Sequence, residues 1–335
     1  MTMKSGDSMV SVVIPCYNSA DDIGEAIESV LRQTRDEYVQ EIIVVDDGSA
    51  DHSETVIRRW EDRDERVRYI YQENRGPSVA RNQGVSEASS SLIAFLDADD
   101  VWKPGKLEAQ VSFLRNHPGV ALVCSDYIKE ENGDRRRIWV KHLDYKQEDL
   151  LKSIYLWGGP VMMSTVVVRK DVFEELGGFD PSILKGQDTD LWLRITAEWP
   201  IHHLPIPLVV KRIREGSVSE DMTTKVRYLR EITDRIAERY PRLGPYRSQR
   251  HAMLSELLIR AWLRRGKRER ARKEALQILS ERPTSLQTVV LFVLSILPLS
   301  AESTKKVLGF LGRVRGALSE GRRRVTEKWT ERGGG

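Results

Sequence analysis

The chain has 335 residues, 40% hydrophobic and 31% charged, the composition of an ordinary globular protein with room for one large domain and an appendage. Its formal charge of +3 conceals an asymmetry: residues 241–335 carry 21 Lys/Arg against 8 Asp/Glu, or +13, leaving 32 against 42, or −10, for the first 240. Two cysteines, Cys16 and Cys124, lie in apolar surroundings, which excludes a disulfide scaffold and leads us to expect reduced, buried thiols in a cytoplasmic protein. The opening MTMKSGDSMV has no apolar run of a secretory leader, and no nucleic-acid partner is expected.

Val10 to Asn18 reads as a first strand, followed by Ile23, Ile27, Val30 and Leu31 at helical spacing. Ile42–Val45 is a second apolar run ending in Asp46 and Asp47. Thr55–Trp60 reads as a helix, Val67–Tyr71 as a short strand, Val79–Ser86 as a helix and Leu92–Leu96 as a strand. Strands alternating with helices imply βαβ units and a largely parallel sheet. Further on, Ser164–Val168 reads as a strand, Val172, Phe173 and Leu176 mark a short helix, and Leu191, Ile195 and Trp199 share one face of another. Beyond Ser219, Val226–Ile236, Leu254–Ala261 and Ala271–Leu279 are spaced for amphipathic helices.

Three of the early strands finish in polar residues: Asn18, Asp46/Asp47 and Asp97/Asp99. Parallel strands place their carboxyl ends along one edge, where open α/β sheets bind ligands, and a mononucleotide is the expected guest. No Gly-x-Gly-x-x-Gly follows the first strand and no Gly-x-x-x-x-Gly-Lys-Ser/Thr occurs anywhere, so a dehydrogenase and a P-loop enzyme are excluded. The phosphates would then be held by a metal and basic side chains. Asp97, Asp99 and Asp100 crowd three carboxylates together, which calls for a compensating cation, and hard ions such as Mg²⁺ or Mn²⁺ prefer such oxygen ligands. A solvated acidic turn leading into a helix with Pro104 in its first turn is the plainer alternative. Asp188 lies near a helix start, where a carboxylate is favoured by the helix dipole and an N-cap is the plainer role.

These pieces together resemble a family 2 glycosyltransferase of the GT-A fold. The resemblance runs from about Ser11 to Ser219. It rests on Val12-Val-Ile-Pro-Cys-Tyr-Asn18, Val45-Asp-Asp-Gly-Ser49, Asn74-Arg-Gly-Pro-Ser-Val-Ala-Arg-Asn-Gln-Gly84, Leu96-Asp-Ala-Asp-Asp100, Gly177-Gly-Phe-Asp180 and Gln187-Asp-Thr-Asp-Leu-Trp192. It implies an α/β fold with a Rossmann-like, mostly parallel central sheet flanked by helices, and a helical C-terminal extension. It also implies inverting transfer from a nucleotide-sugar donor, UDP-sugar favoured, to a saccharide or lipid-linked acceptor in surface glycan synthesis. Laid on the residues, Tyr17 matches the ring against the base, and Asp47 or Asp46 the carboxylate that reads it. Arg81 matches the diphosphate side, Asp97 the first carboxylate of the Asp-x-Asp, and Asp99 the direct metal ligand. Pro15, Asn18 and Ala98 complete the donor-binding set. Asp188 matches the general base, with Asp190 as the other register.

Two departures stand out. Gln187 replaces the Glu that usually precedes the base, and Arg214 occupies the place where the family often has a metal-contacting His; arginine has no lone pair to offer a cation. Either the metal relies on Asp99, phosphate and water, or Arg214 joins the donor-binding set by contacting the diphosphate directly. From the residues alone, a nucleotidyltransferase or a non-catalytic nucleotide-sugar binder remain alternatives. The expected division is 8–220 for the GT-A domain, 221–284 for a helical extension and 285–335 for an apolar, basic segment. Within 285–325, Leu286–Leu299 is too short to span a bilayer, at 14 residues and roughly 21 Å. With the basic residues that follow it suits a helix lying on the cytoplasmic face of a membrane.

Overall fold

The computed structural model describes residues 9–131, 134–138, 147–157, 161–213, 222–281, 286–297, 302–303 and 306–307. The expected alternation of elements holds through the first hundred residues. Strand β1 (Val10–Cys16), helix α1 (Ile23–Leu31), β2 (Val39–Asp47), α2 (Ser53–Glu61), β3 (Val67–Gln72), α3 (Pro77–Glu87) and β4 (Leu92–Phe95) follow in turn. The apolar runs of β1, β2 and β4 are buried almost without interruption, as strands covered on both faces must be. In α1, Ile23, Ala26, Ile27 and Val30 are buried on the face turned to the core, where they pack with Val12, Ile14, Ile42 and Leu92.

After β4 come β5 (Val101–Trp102), α4 (Lys106–Asn116), β6 (Leu122–Glu131), β7 (Asp134–Ile138), α5 (Gln147–Trp157), β8 (Val167–Arg169), α6 (Lys170–Glu175), α7 (Gln187–Glu198), β9 (Ile201–Ile213) and α8 (Met222–Arg239). The sheet runs β3-β2-β1-β4-β8-β6-β9-β5, with β7 paired to β6. Its β3-β2-β1-β4 half is wholly parallel. The other half is mixed: β8 is antiparallel to β4 and β6, β5 antiparallel to β9, and β6 parallel to β9.

Two local expectations are corrected. Pro104 lies outside the first turn of α4, because Gly105 occupies the cap position at φ 83 and Lys103 N–H is held by the Leu208 carbonyl. Ser164 does not begin a strand: Met163–Thr165 form a 3₁₀ turn, with the Thr165 hydroxyl on the Met162 carbonyl at 2.7 Å. Such local side-chain bonds compete with strand pairing.

The chain divides into two compact units, Met1–Arg247 and Ser248–Gly335. The resemblance stops near 220, whereas packing continues through α8, whose Leu229 and Ile232 close on Gly186. The second unit contains most of α9 (Arg247–Arg264), with α10 (Arg268–Glu281) and α11 (Leu286–Ile296), around Ile259, Leu263, Ala271, Ala275, Ile278, Leu291 and Leu294. Both cysteines are free and buried.

Candidate active site

The ends of β1, β2 and β4 meet on one edge, since Cys16 pairs with Asp46 and Val13 with Phe95. Here the chain leaves β1 through Tyr17, 52% exposed, and Asn18, which adopts the left-handed φ of 49° that Asn tolerates better than most residues. Asn18 ties the two strand ends together: its N–H donates to Ser49 Oγ at 2.9 Å, and its Oδ1 accepts from Ala50 N at 2.8 Å. Pro15 sits within β1, opposite Val45.

Asp46 and Asp47 are both buried, and both are held by the protein. Asp46 accepts from Ser49 N at 2.9 Å and from the Tyr69 hydroxyl at 3.0 Å. Asp47 accepts from Gln72 Nε2 at 2.6 Å, Arg75 N at 2.8 Å and Gly76 N at 2.9 Å. Asp47 thus shapes the loop that starts α3. That helix lies unusually close to β1: a Cβ on Gly84 would come within 2.4 Å of Val13.

The close approach delivers Arg81 to the end of β4. Its Nη2 donates to Asp97 Oδ1 at 2.6 Å, and its side chain is 7% exposed. Among the described residues its Nε and Nη1 are buried without a hydrogen-bond partner, two donors in a site where such groups are costly. One carboxylate oxygen from each of Asp97, Asp99 and Asp100 lies within 4.8 Å of the others. Ala98 between them is buried.

The three carboxylates are not alike. Burial works to raise the Asp97 pKa, but Arg81 and Lys211 outweigh it and hold the carboxyl below its usual range. Burial, and then repulsion from Asp97, raises Asp99. Burial pushes Asp100 up to about 7, with Asp97 and Asp99 adding to the rise and Lys211 opposing it. Asp100 is also the most engaged, accepting from Ser164 Oγ at 2.6 Å and from Arg212 N at 3.3 Å. Ser164 Oγ in turn accepts from Asp97 N at 3.1 Å, so one hydroxyl from a turn far along the chain fixes both ends of the acidic run. Among the described residues no other residue donates a hydrogen bond to the Asp99 carboxylate or to the second oxygen of Asp97. An all-oxygen, partly buried set with such oxygens to spare fits a hard divalent cation.

On α7 the structure separates two neighbours that the sequence could not. Asp190 is 1% exposed and fully committed: Oδ2 accepts from Arg194 Nε at 2.9 Å and Nη2 at 2.7 Å, and Oδ1 from Arg235 Nη2 at 2.9 Å. Asp188, half-buried at the second position of the helix, accepts at Oδ1 from Thr189 N at 2.8 Å and Thr189 Oγ1 at 3.5 Å, and among the described residues no group donates to its Oδ2. The helix cap is Gly186, at φ 88, and a Cβ there would meet Leu229 at 3.1 Å. Among the described residues no hydrogen bond or ion pair joins Asp188 directly to the acidic run. The two are linked through Phe179, whose backbone is pinned by Asn82 of α3 at 2.7 and 3.0 Å and whose ring lies edge-on to Trp192 at 6.0 Å. Arg214 lies outside the described residues. Sequence reading gave no role to Ser164, Arg212 or Lys211, and no spacing could have, since only β8 and β9 bring them to β4.

A family model described as "Glycosyl transferase family 2" matches residues 11–177. A Rickettsia prowazekii protein named uncharacterized glycosyltransferase RP339 is 30% identical over 229 residues, which cover 68% of this chain and 70% of that one. The chain belongs to glycosyl transferase family 2. Within the family it is 34% identical over 211 residues to an uncharacterized glycosyltransferase of Rickettsia felis, a match covering 63% of this chain but only 34% of the relative's length. The chain thus spans about a third of that longer relative. It is also 41% identical over 113 residues, 33% of this chain and 44% of the other, to the putative teichuronic acid biosynthesis glycosyltransferase TuaG of Bacillus subtilis. Among solved structures, S. aureus TarS 1-349 in complex with UDP superposes with TM-score 0.56 at 18% identity, covering 86% of this chain and 81% of that one. The mannosyltransferase PcManGT of Pyrobaculum calidifontis, in complex with GDP-Man and Mn2+, gives 0.56 at 19%, covering 85% and 78%. The fold is GT-A, and the family's activity is glycosyl transfer.

Proposed function

We propose that this chain is an inverting glycosyltransferase that uses Mg²⁺ or Mn²⁺ to move a sugar from a nucleoside diphosphate sugar, UDP-sugar by preference, to a saccharide or lipid-linked acceptor. The observation that carries this reading is the Asp97–Asp99–Asp100 cluster with Arg81 buried against it, at the meeting point of three parallel strand ends. The bound nucleotides of TarS and PcManGT, and the Mn²⁺ of the latter, support it. The name of TuaG, a putative teichuronic acid biosynthesis glycosyltransferase, favours a surface or extracellular glycan as product.

In this reading Tyr17 stacks against the base, with Pro15 and Asn18 shaping that wall. Asp47, with one lone pair of Oδ2 left over, or Asp46, accepts from the base edge. Arg81 orients Asp97 and turns its two unpartnered donors to the diphosphate. Asp99 and the second oxygen of Asp97 would hold the cation, which when bound neutralises the leaving nucleoside diphosphate. Arg214 joins the diphosphate side. Asp188 Oδ2 takes the proton of the acceptor hydroxyl as its oxygen attacks the anomeric carbon opposite the leaving group. Hydrolysis of a panel of nucleotide sugars, with and without Mn²⁺, tests the reading: activity lost to EDTA is expected, and activity indifferent to EDTA would remove the metal.

We further assign residues 285–325 to contact with the cytoplasmic face of a membrane. Among the described residues no helix is long and apolar enough to cross one. On α11, Leu291 and Leu294 are buried in the second unit's core, whereas Val289, Val293 and Ile296 are 37, 45 and 56% exposed along one face. Most of 298–325 lies outside the described residues. Glutamate at Val289, Val293 and Ile296 should abolish sedimentation with anionic vesicles; unchanged sedimentation, or none by the parent protein, would reject the assignment.

A further inference from the structure

A second cation, Lys211, stands beside the acidic cluster, and none of the sequence motifs includes it. The two residues of β5 pair antiparallel with β9, Val101 with Val210 and Trp102 with Val209. One more step of that register sets Lys211 opposite Asp100. Lys211 Nζ lies 3.8 Å from Asp100 Oδ2, with the lysine side chain 29% exposed and the aspartate 0%.

The two cations of the site are held differently. Arg81 is locked on Asp97 at 2.6 Å and almost fully buried. Lys211 sits at ion-pair distance, beyond the length of a hydrogen bond, from an oxygen that already accepts the Ser164 hydroxyl at 2.6 Å. An ammonium with three donors to satisfy and no hydrogen bond to the cluster can be displaced. Charge points the same way. With all three carboxylates ionised, Arg81 and Lys211 leave the cluster at −1. A divalent cation brings it to +1, which suits a diphosphate; without Lys211 the loaded site would be neutral.

We propose that Lys211 is an exchangeable counter-cation: it balances Asp97, Asp99 and Asp100 while no divalent ion is bound, yields when one binds, and then lends its charge to the donor's diphosphate. This rests on the metal-dependent reading above. If Lys211 merely fastens β9 to the acidic run, replacing it would lower the melting temperature and leave metal affinity untouched.

The test is Mn²⁺ binding to the full chain without donor, read from the EPR signal of the free ion, for the parent protein and for Lys211→Met, Lys211→Gln and Lys211→Arg. Removing one like charge a few ångströms from the ion should tighten Mn²⁺ binding by about tenfold in the Met and Gln variants, and the Arg variant should match the parent. UDP binding in saturating Mn²⁺ should weaken by about tenfold in the two neutral variants only. Equal or weaker Mn²⁺ binding in the neutral variants, tightening in the Arg variant as well, or unchanged UDP binding would each overturn the proposal. If no variant and not the parent binds Mn²⁺, the metal reading falls together with it; parent-like Mn²⁺ binding throughout removes Lys211 alone. Should both neutral variants fail to fold, parent protein labelled at lysine ¹³Cε supplies the measurement. Saturating Mg²⁺ should move the Lys211 resonance, assigned by its loss in Lys211→Arg, and an unmoved resonance would overturn the proposal.

Discussion

The parallel half of the sheet and the mixed half build the same site by different means. In the parallel half β1, β2 and β4 deliver polar residues at their own ends, so Tyr17, Asp47 and Asp97 reach the candidate site at or just past a strand end. In β8-β6-β9-β5 nothing arrives that way. Ser164 comes from a turn before β8, Lys211 from within β9, two residues short of its end, and Asp188 from a helix packed on α8. The parallel half brings in residues that stand at strand ends, and the other half brings in residues far apart in the chain. Substitutions in the two regions should therefore fail differently.

The sharpest contrast is expected between two aspartates of one helix. Asp188→Asn should lower kcat by about 10²–10⁴, as loss of a general base does, with nucleotide affinity and melting temperature unchanged. Asp190→Asn leaves Arg194 and Arg235 without their shared carboxylate and should cost about 3 kcal/mol of stability, read by urea unfolding. If instead Asp190→Asn folds normally and loses kcat, the base lies two residues further on. In the parallel half, Gly84→Ala drives a methyl into Val13 and should cost about 1–3 kcal/mol by overpacking. It should also weaken nucleotide binding, because α3 carries Arg81; calorimetry with UDP checks this.

The smallest effect is a pH-dependent one far from the chemistry. Glu41, 8% exposed, accepts from Ser11, Ser89 and Arg68. Burial alone would raise its pKa, but those donors outweigh burial and hold it below 4.5. A carboxyl lowered on folding stabilises above its unfolded pKa and loses that contribution as pH falls through the folded one. Glu41→Gln should therefore cost about 1–2 kcal/mol at pH 7, a difference that shrinks as pH falls below 4.5 in paired unfolding curves.

The same division explains what the sequence could show. β1, β2 and β4 were legible because strands buried on both faces are unbroken apolar runs, and their polar ends stand next to them in the chain. The Asp-x-Asp was legible for the same reason. Ser164 reads as strand because Val166–Val168 follow it, and its bond to Asp100 spans 64 residues that only the fold closes. Lys211 stood in view within Lys211-Arg-Ile-Arg, yet its opposition to Asp100 depends on the register of a two-residue strand. Asp188 and Asp190 carry the same charge two residues apart, and only the arginines around Asp190 tell them apart.

The central claim is that the acidic strand end serves the donor and α7 serves the acceptor. Calorimetric titration of UDP, with GDP alongside, into parent, Asp99→Asn and Asp188→Asn proteins, each in Mn²⁺ and in EDTA, tests it most directly. The account predicts Mn²⁺-dependent nucleotide binding by the parent and by Asp188→Asn, and none by Asp99→Asn. Binding that persists in EDTA, or in Asp99→Asn, would contradict it.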